Sequence, residues 1–227
     1  MIIHGRNTVA EALKLGLVKN LFLRKGSTFR EKPADMEAAE FGRKEFEHRF
    51  GDEAQGVAAE INDIEPKDFV RHRKSISGHV LILDRIQDPH NYGTIIRAAN
   101  CFGVKTIIVA RYHQAPITAA VCKASSGTLF HADIYETTNI SSAAEDLQSM
   151  GYKIYAADID GDKVLNDVQF AEQSAVILGS EGKGIRPGVL EKADTAFRIP
   201  MCGDIDSLNV SQSAAIILHT LYSSKLT

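Results

Sequence analysis

Apolar residues fall along the chain in two rhythms, short unbroken runs and positions three or four apart. Val9, Ala12 and Leu13 share one helical face, which predicts a helix opened by Asn7 or Thr8 as cap, running to Leu15 and stopped by Gly16. Leu21–Leu23 reads as a short strand, Ala34–Lys44 has helical composition, and Gly56–Ile61 reads as a closing strand. This predicts a small α/β domain over residues 1–65. Residues 66–77 are polar and charged, with Pro66 among them, and read as a linker. From His79 the pattern becomes that of a parallel α/β domain, predicted over 78–227. Strands are expected at His79–Leu83, Thr106–Val109, Tyr152–Ala157, Ala175–Leu178 and Ala196–Ile199. The wholly apolar Ala175–Leu178 belongs at the centre of the sheet, buried on both faces. Helices are expected from Asn91 to Phe102, from Ile117 to Lys123 and from Ser141 to Met150. A last one carries Val210, Ala214, Ile217, Leu218 and Leu221 on one face, with Asn209 or Ser211 near its N-cap.

With 227 residues, 44% of them hydrophobic, the chain is long enough to bury a sizeable core. Its longest apolar run is Ala214–Leu218, far short of the ~20 residues of a transmembrane helix. The first residues lack the basic-then-apolar order of a secretion signal, and Cys101, Cys122 and Cys202 form no close pair. A reducing cytoplasm is the expected location, with no membrane partner. The net charge is −3 and the pI about 6.2, unlike a protein that coats nucleic acid. A local basic patch can still bind it. Two runs offer one, Arg24-Lys25 with Arg30 and Lys32, and Arg71-His72-Arg73-Lys74; a solvated surface is the simpler reading of either alone.

Candidate chemistry sits in three turns that follow strands, where ligands bind in open α/β sheets. Gly179-Ser180-Glu181-Gly182-Lys183-Gly184 is neither a Walker A loop, because Gly184 stands where Ser or Thr is needed, nor a dinucleotide fingerprint, because Pro187 stands where the third glycine belongs. Its glycines would let a ligand approach the main chain. In Asn91-Tyr92-Gly93-Thr94-Ile95-Ile96-Arg97, Asn91 can cap the helix, and Gly93 would leave room for a ligand to reach the Arg97 guanidinium, whose fork suits phosphate. Taken alone, Arg97 reads more simply as a surface ion-pair residue. Ile205-Asp206-Ser207-Leu208-Asn209-Val210-Ser211 aims two polar side chains, Ser207 and Asn209, at one helix start, with capping as part of their role. No HExxH or Cys/His cluster suggests a metal, and no GxSxG suggests a serine hydrolase.

Together, in order and spacing, these three turns resemble the three motifs of the SpoU/TrmH family, RNA ribose 2′-O-methyltransferases of the SPOUT class. Asp88-Pro89-His90-Asn91 and Ile199-Pro200-Met201 are also similar to the family, and Gly5-Arg6-Asn7-Thr8-Val9 with Glu11-Ala12-Leu13 resembles the L30e-like RNA-binding domain of RlmB-type members. One departure is Ala54-Gln55-Gly56, where that domain often has His-Gln-Gly. The resemblance implies a parallel-sheet SPOUT domain ending in a trefoil knot, after an L30e-like domain. It implies a homodimer with S-adenosylmethionine as methyl donor. The donor would be bound around Ala157, Gly179, Gly182, Ile199, Met201 and Leu208. Asn91, Arg97, Glu181, Ser207 and Asn209 would be the catalytic set, and Arg6, Arg24, Lys25 and Arg30 the RNA contacts.

The implied reaction moves a methyl group from a sulfonium to a ribose oxygen, and needs alignment and the removal of one proton. Alignment can lower a barrier by roughly 7–11 kcal/mol in ideal cases. An arginine ordinarily keeps its proton far above neutral pH, which makes a neutral arginine base costly, so Arg97 is as readily a positioner as a base. The implied substrate is a guanosine of 23S ribosomal RNA, with transfer RNA as the alternative. Intact Arg97, Glu181 and Asn209 argue against a non-catalytic RNA-binding protein, and the failed fingerprint argues against an oxidoreductase.

Overall fold

The computed structural model describes residues 1–202 and 207–224. Its N-terminal part runs β1 (Ile2–His4), α1 (Arg6–Lys14), β2 (Val18–Arg24), β3 (Ala38–Phe41), α2 (Arg43–Phe50) and β4 (Val57–Ile61). The sheet order is β1-β4-β2-β3, with β4 antiparallel to both neighbours and β3 parallel to β2. Two local expectations are corrected here. The helix expected over Ala34–Lys44 is a strand followed by a helix. Pairing of Ala38–Phe41 with Leu21–Arg24 overrides the good intrinsic helix propensity of Ala and Glu, and the Phe41 ring joins Phe22 and Phe50. Helix α1 is not capped by Asn7 or Thr8. It starts from Gly5 at φ 94°, and the Arg6 N–H donates to Gln55 Oε1 at 3.1 Å, so a side chain 49 residues away satisfies an N-terminal donor. Gln55 is the residue at which the chain keeps the resemblance beside its departure at Ala54.

The remainder runs β5 (Lys67–Asp68), α3 (Phe69–His72), β6 (Val80–Asp84), α4 (Pro89–Cys101), β7 (Thr106–Ala110), α5 (Ala119–Ala124), β8 (Asp133–Thr137) and α6 (Ile140–Ser149). It continues with β9 (Lys153–Ala157), β10 (Lys163–Val164), β11 (Ser174–Gly179), α7 (Pro187–Leu190), β12 (Thr195–Arg198) and α8 (Val210–Ser223). These strands form one parallel sheet ordered β10-β12-β9-β11-β6-β7-β8-β5. As its composition requires, β11 is central, between β9 and β6, with Ala175–Leu178 buried. The stretch 66–77 is not a free linker. Lys67 and Asp68 pair with Tyr135 and Glu136 of β8, and Phe69 and Ile76 are buried against that side of the sheet.

Alternation along β6 and β7 splits the core into two layers. Leu81, Leu83, Ile107 and Val109 face α4, α5 and α8, whereas Val80, Ile82 and Ile108 face α6 and the buried Phe69. The first layer continues without a break into the N-terminal sheet through Ile3, Val9, Leu21 and Val57. Among the described residues, no helix is long and apolar enough to cross a membrane. The implied knot depends on the path from β12 to α8, of which residues 203–206 lie outside the described residues, as do 225–227.

Candidate functional site

The C-terminal ends of β9, β11 and β12 open onto a cavity of about 510 Å³. Leu178, Phe197, Ile199, Leu208 and Val210 supply apolar wall, and Gly179–Gly182 with Gly184 supply main chain. The turn after β11 is closed by two backbone bonds, Ser180 N–H to the Gly184 carbonyl at 3.1 Å and Gly184 N–H to the Ser180 carbonyl at 2.9 Å. Gly179 is obligatory, since a Cβ there would lie 2.1 Å from the Gly184 carbonyl carbon. The closed turn lifts Glu181 to the rim.

There the three turns meet. Asn91 Nδ2 donates to Glu181 Oε1 at 2.9 Å, and Asn209 Nδ2 donates to the same oxygen at 2.6 Å and to Asn91 Oδ1 at 3.1 Å. A carboxylate only accepts, so it fixes the orientation of both amides. Asn209 also does what the sequence suggests, its Oδ1 accepting from Ser211 N–H at 2.8 Å at the start of α8. Asn91 does not cap α4. Asp88 takes that role, accepting the Asn91 N–H at 2.7 Å, and Pro89 occupies the first turn, which releases the Asn91 side chain toward Glu181.

An ion pair between a buried aspartate and a partly exposed arginine supports the same turn. Asp84, fully buried at the end of β6, accepts from the Arg186 backbone N–H at 3.0 Å and from Arg186 Nε at 3.0 Å, and lies 2.8 Å from Arg186 Nη2. Arg186 stands two residues beyond Gly184, so the return limb of the turn is pinned to the strand from which α4 departs. Sequence reasoning missed this pair; an aspartate closing an otherwise apolar strand was its only signal.

All six residues expected at the donor site, Ala157, Gly179, Gly182, Ile199, Met201 and Leu208, line the cavity, as do Glu181, Ser207 and Asn209. Ile205 and Asp206 of the third turn lie outside the described residues. Arg97 is not in the cavity lining. It is exposed on α4, and its Nη1 donates to Ser126 Oγ at 3.1 Å. Nor does Gly93 leave room for a ligand. A Cβ there would sit 2.6 Å from the Ala124 Cβ and 2.7 Å from the Val121 carbonyl, so this glycine lets α4 and α5 touch. The four expected RNA contacts gather around the turn after β2. Arg6 Nη1 donates to Thr28 Oγ1 at 2.9 Å, Arg24 pairs with Glu47 at 3.8 Å and lies against Gly56, and Lys25 and Arg30 are exposed. Among the described residues, no group of three or more His, Cys, Asp or Glu is placed to hold a metal ion.

Residues 78–219 match the SpoU rRNA Methylase family. The chain is 35% identical over 173 residues to a Staphylococcus haemolyticus protein assigned to the TrmH family of tRNA/rRNA methyltransferases, covering 74% of this chain and 70% of that one. Its fold is similar to a structure from Porphyromonas gingivalis assigned as a TrmH-family RNA methyltransferase, with a TM-score of 0.77 at 27% identity over 96% of this chain and 88% of that one. A similar fold is seen in the SpoU methyltransferase AviRb from Streptomyces viridochromogenes in complex with AdoMet, with a TM-score of 0.81 at 20% identity over 100% and 91% of the two chains. A parallel sheet whose strand ends carry these three turns therefore defines an RNA methyltransferase of the SpoU/TrmH type. The chain belongs to the SpoU rRNA methylase family.

Proposed function

We propose that the protein transfers a methyl group from S-adenosylmethionine to a ribose 2′-hydroxyl of RNA, with a guanosine of 23S ribosomal RNA as target, acting as a cytoplasmic homodimer. The observation that carries this reading is the hydrogen-bonded convergence of Asn91, Glu181 and Asn209, one from each turn, beside one cavity that Glu181 and Asn209 line. The residues present fit the donor. A cavity of about 510 Å³ is within the usual range for a small-molecule site, and it joins apolar walls to exposed main chain and one carboxylate. Ala157, Gly179, Gly182, Ile199, Met201 and Leu208 would hold it. When bound, S-adenosylmethionine supplies a methyl group already activated on a sulfonium.

What this chain must do is orient and exclude. The carboxylate of Glu181 fixes the amides of Asn91 and Asn209, so polar groups meet the RNA ribose in one arrangement. Arg97, outside the cavity lining and exposed on α4, would meet the RNA phosphate and hold the target nucleotide. The basic cluster of Arg6, Arg24, Lys25 and Arg30 supplies further phosphate contacts from the N-terminal domain, residues 1–65, and residues 78–227 carry the reaction. A homodimer is supported by the outer face of α4 and α8. There the Phe102 ring packs on His219 and Tyr222, while Ile216 and Tyr222 stay 40% and 43% exposed.

Incubation of the purified protein with methyl-labelled S-adenosylmethionine and either ribosomal or transfer RNA, followed by nuclease digestion and mass spectrometry, tests the reading. Label on a ribose 2′-oxygen of ribosomal RNA is expected. Label on a base alone refutes the reaction class, and label on transfer RNA alone refutes the target.

A further inference from the structure

Arg97 stands apart from the hydrogen-bonded group at the cavity rim, and a flexible exposed arginine holds a substrate poorly unless something confines it. The described contact that does so is Ser126, whose Oγ accepts from Arg97 Nη1 at 3.1 Å. Ser126 lies at φ 53°, a left-handed conformation that serine adopts reluctantly. Such a backbone persists only where its surroundings over-determine it.

Here they do so from both sides. From within, the Ser126 N–H donates to the Lys123 carbonyl at 2.9 Å and the Gly127 N–H to the Cys122 carbonyl at 3.0 Å, while the buried Ser125 hydroxyl also donates to Cys122 at 2.9 Å. From outside, α1 of the N-terminal domain rests on Gly127, where a Cβ would come within 2.9 Å of the Glu11 Cβ and 3.2 Å of the Thr8 Cα. Around this seat Thr8 Oγ1 donates to the Cys122 carbonyl at 3.4 Å, Glu11 meets His131 at 3.1 Å, and Lys123 pairs with Glu53. The turn is therefore held from within by its own hydrogen bonds and from outside by α1.

We infer that Ser126 is a positioning residue, which holds the Arg97 guanidinium in the orientation that receives the RNA. The inference rests on the methyl-transfer reading for what Arg97 does, but the confinement of Arg97 can be measured without it. Ser126→Gly accepts the left-handed backbone and removes the acceptor, whereas Ser126→Asn accepts the same backbone and restores one. In the full chain, Ser126→Gly is expected to lower kcat about tenfold, since a small misplacement of a substrate-holding group is costly. S-adenosylmethionine affinity should stay within about twofold and the melting temperature should not fall below that of the parent. Ser126→Asn should recover most of the lost rate. Parent-like kcat in Ser126→Gly, or an asparagine variant no better than the glycine one, overturns the inference. If the parent transfers no methyl group at all, the functional reading fails, and NMR relaxation of the Arg97 Nε–H decides the positioning alone. Lower order in Ser126→Gly with recovery in Ser126→Asn sustains it, and equal order in all three proteins overturns it.

Discussion

Asn209 serves two structures at once, and one substitution separates them. Its Oδ1 caps α8, and its Nδ2 reaches Glu181 and Asn91. Aspartate caps a helix about as well as asparagine, but at this position it would set a second carboxylate 2.6 Å from the first. Asn209→Asp is therefore expected to keep the melting temperature within a few degrees while methyl transfer falls at least about tenfold, which a parallel melt and activity assay will show. The chemical identity of this site was legible because each of its residues is a polar side chain in a turn after an apolar run. The bonds between them were not, since Asn91 lies 90 residues from Glu181 and 118 from Asn209. Asn91 could be misread as a cap because it too can accept a backbone N–H; the Asp88-Pro89 pair in front of it decides the matter. The partner of Arg97 was hidden for the same reason, since nothing local marks Ser126 as facing another helix.

Among the elements, the glycine turn is held by a charge and the strand β1 carries a histidine kept from charging. The buried Asp84 holds the return limb of the turn through Arg186. Asp84→Ala is expected to cost about 1–3 kcal/mol in a urea titration, since Arg186 is partly exposed and can regain water, and to weaken S-adenosylmethionine binding by freeing Glu181 and Gly182. At the end of β1, burial and then the charge of Lys123 hold the His4 imidazole below its ordinary pKa of 6.5. The unfolded chain therefore binds a proton more readily than the folded one. This group's contribution to stability is complete above pH 6.5 and is lost as pH falls below it toward the folded value. Thermal melts at pH 7.5 and 5.5 should show a larger drop for the parent than for His4→Gln. Long periodic elements such as α8 and the apolar β11 were legible, and short edge pieces were not. Ala38–Phe41 and Asp133–Thr137 owe their strand form to a neighbour, β2 in one case and β7 in the other, and sequence alone does not name the neighbour.

For the whole molecule, the exposed apolar side chains of α8 make the proposed dimer testable. Ile216→Arg is expected to yield a monomer in sedimentation experiments while the fold persists, because the side chain points away from the core at 40% exposure. A variant that remains dimeric places the interface elsewhere.

The two sheets share one apolar layer, running from Ile3 and Val9 through Val121 to Leu81 and Leu218. A chain that reads as two domains is thus expected to unfold as one. Neither half can open without exposing part of the other, and calorimetry should record a single heat-absorption peak whose van't Hoff and calorimetric enthalpies agree. A protein built this way offers a protease few partly opened states, so its resistance to digestion will track global unfolding instead of release of the N-terminal half.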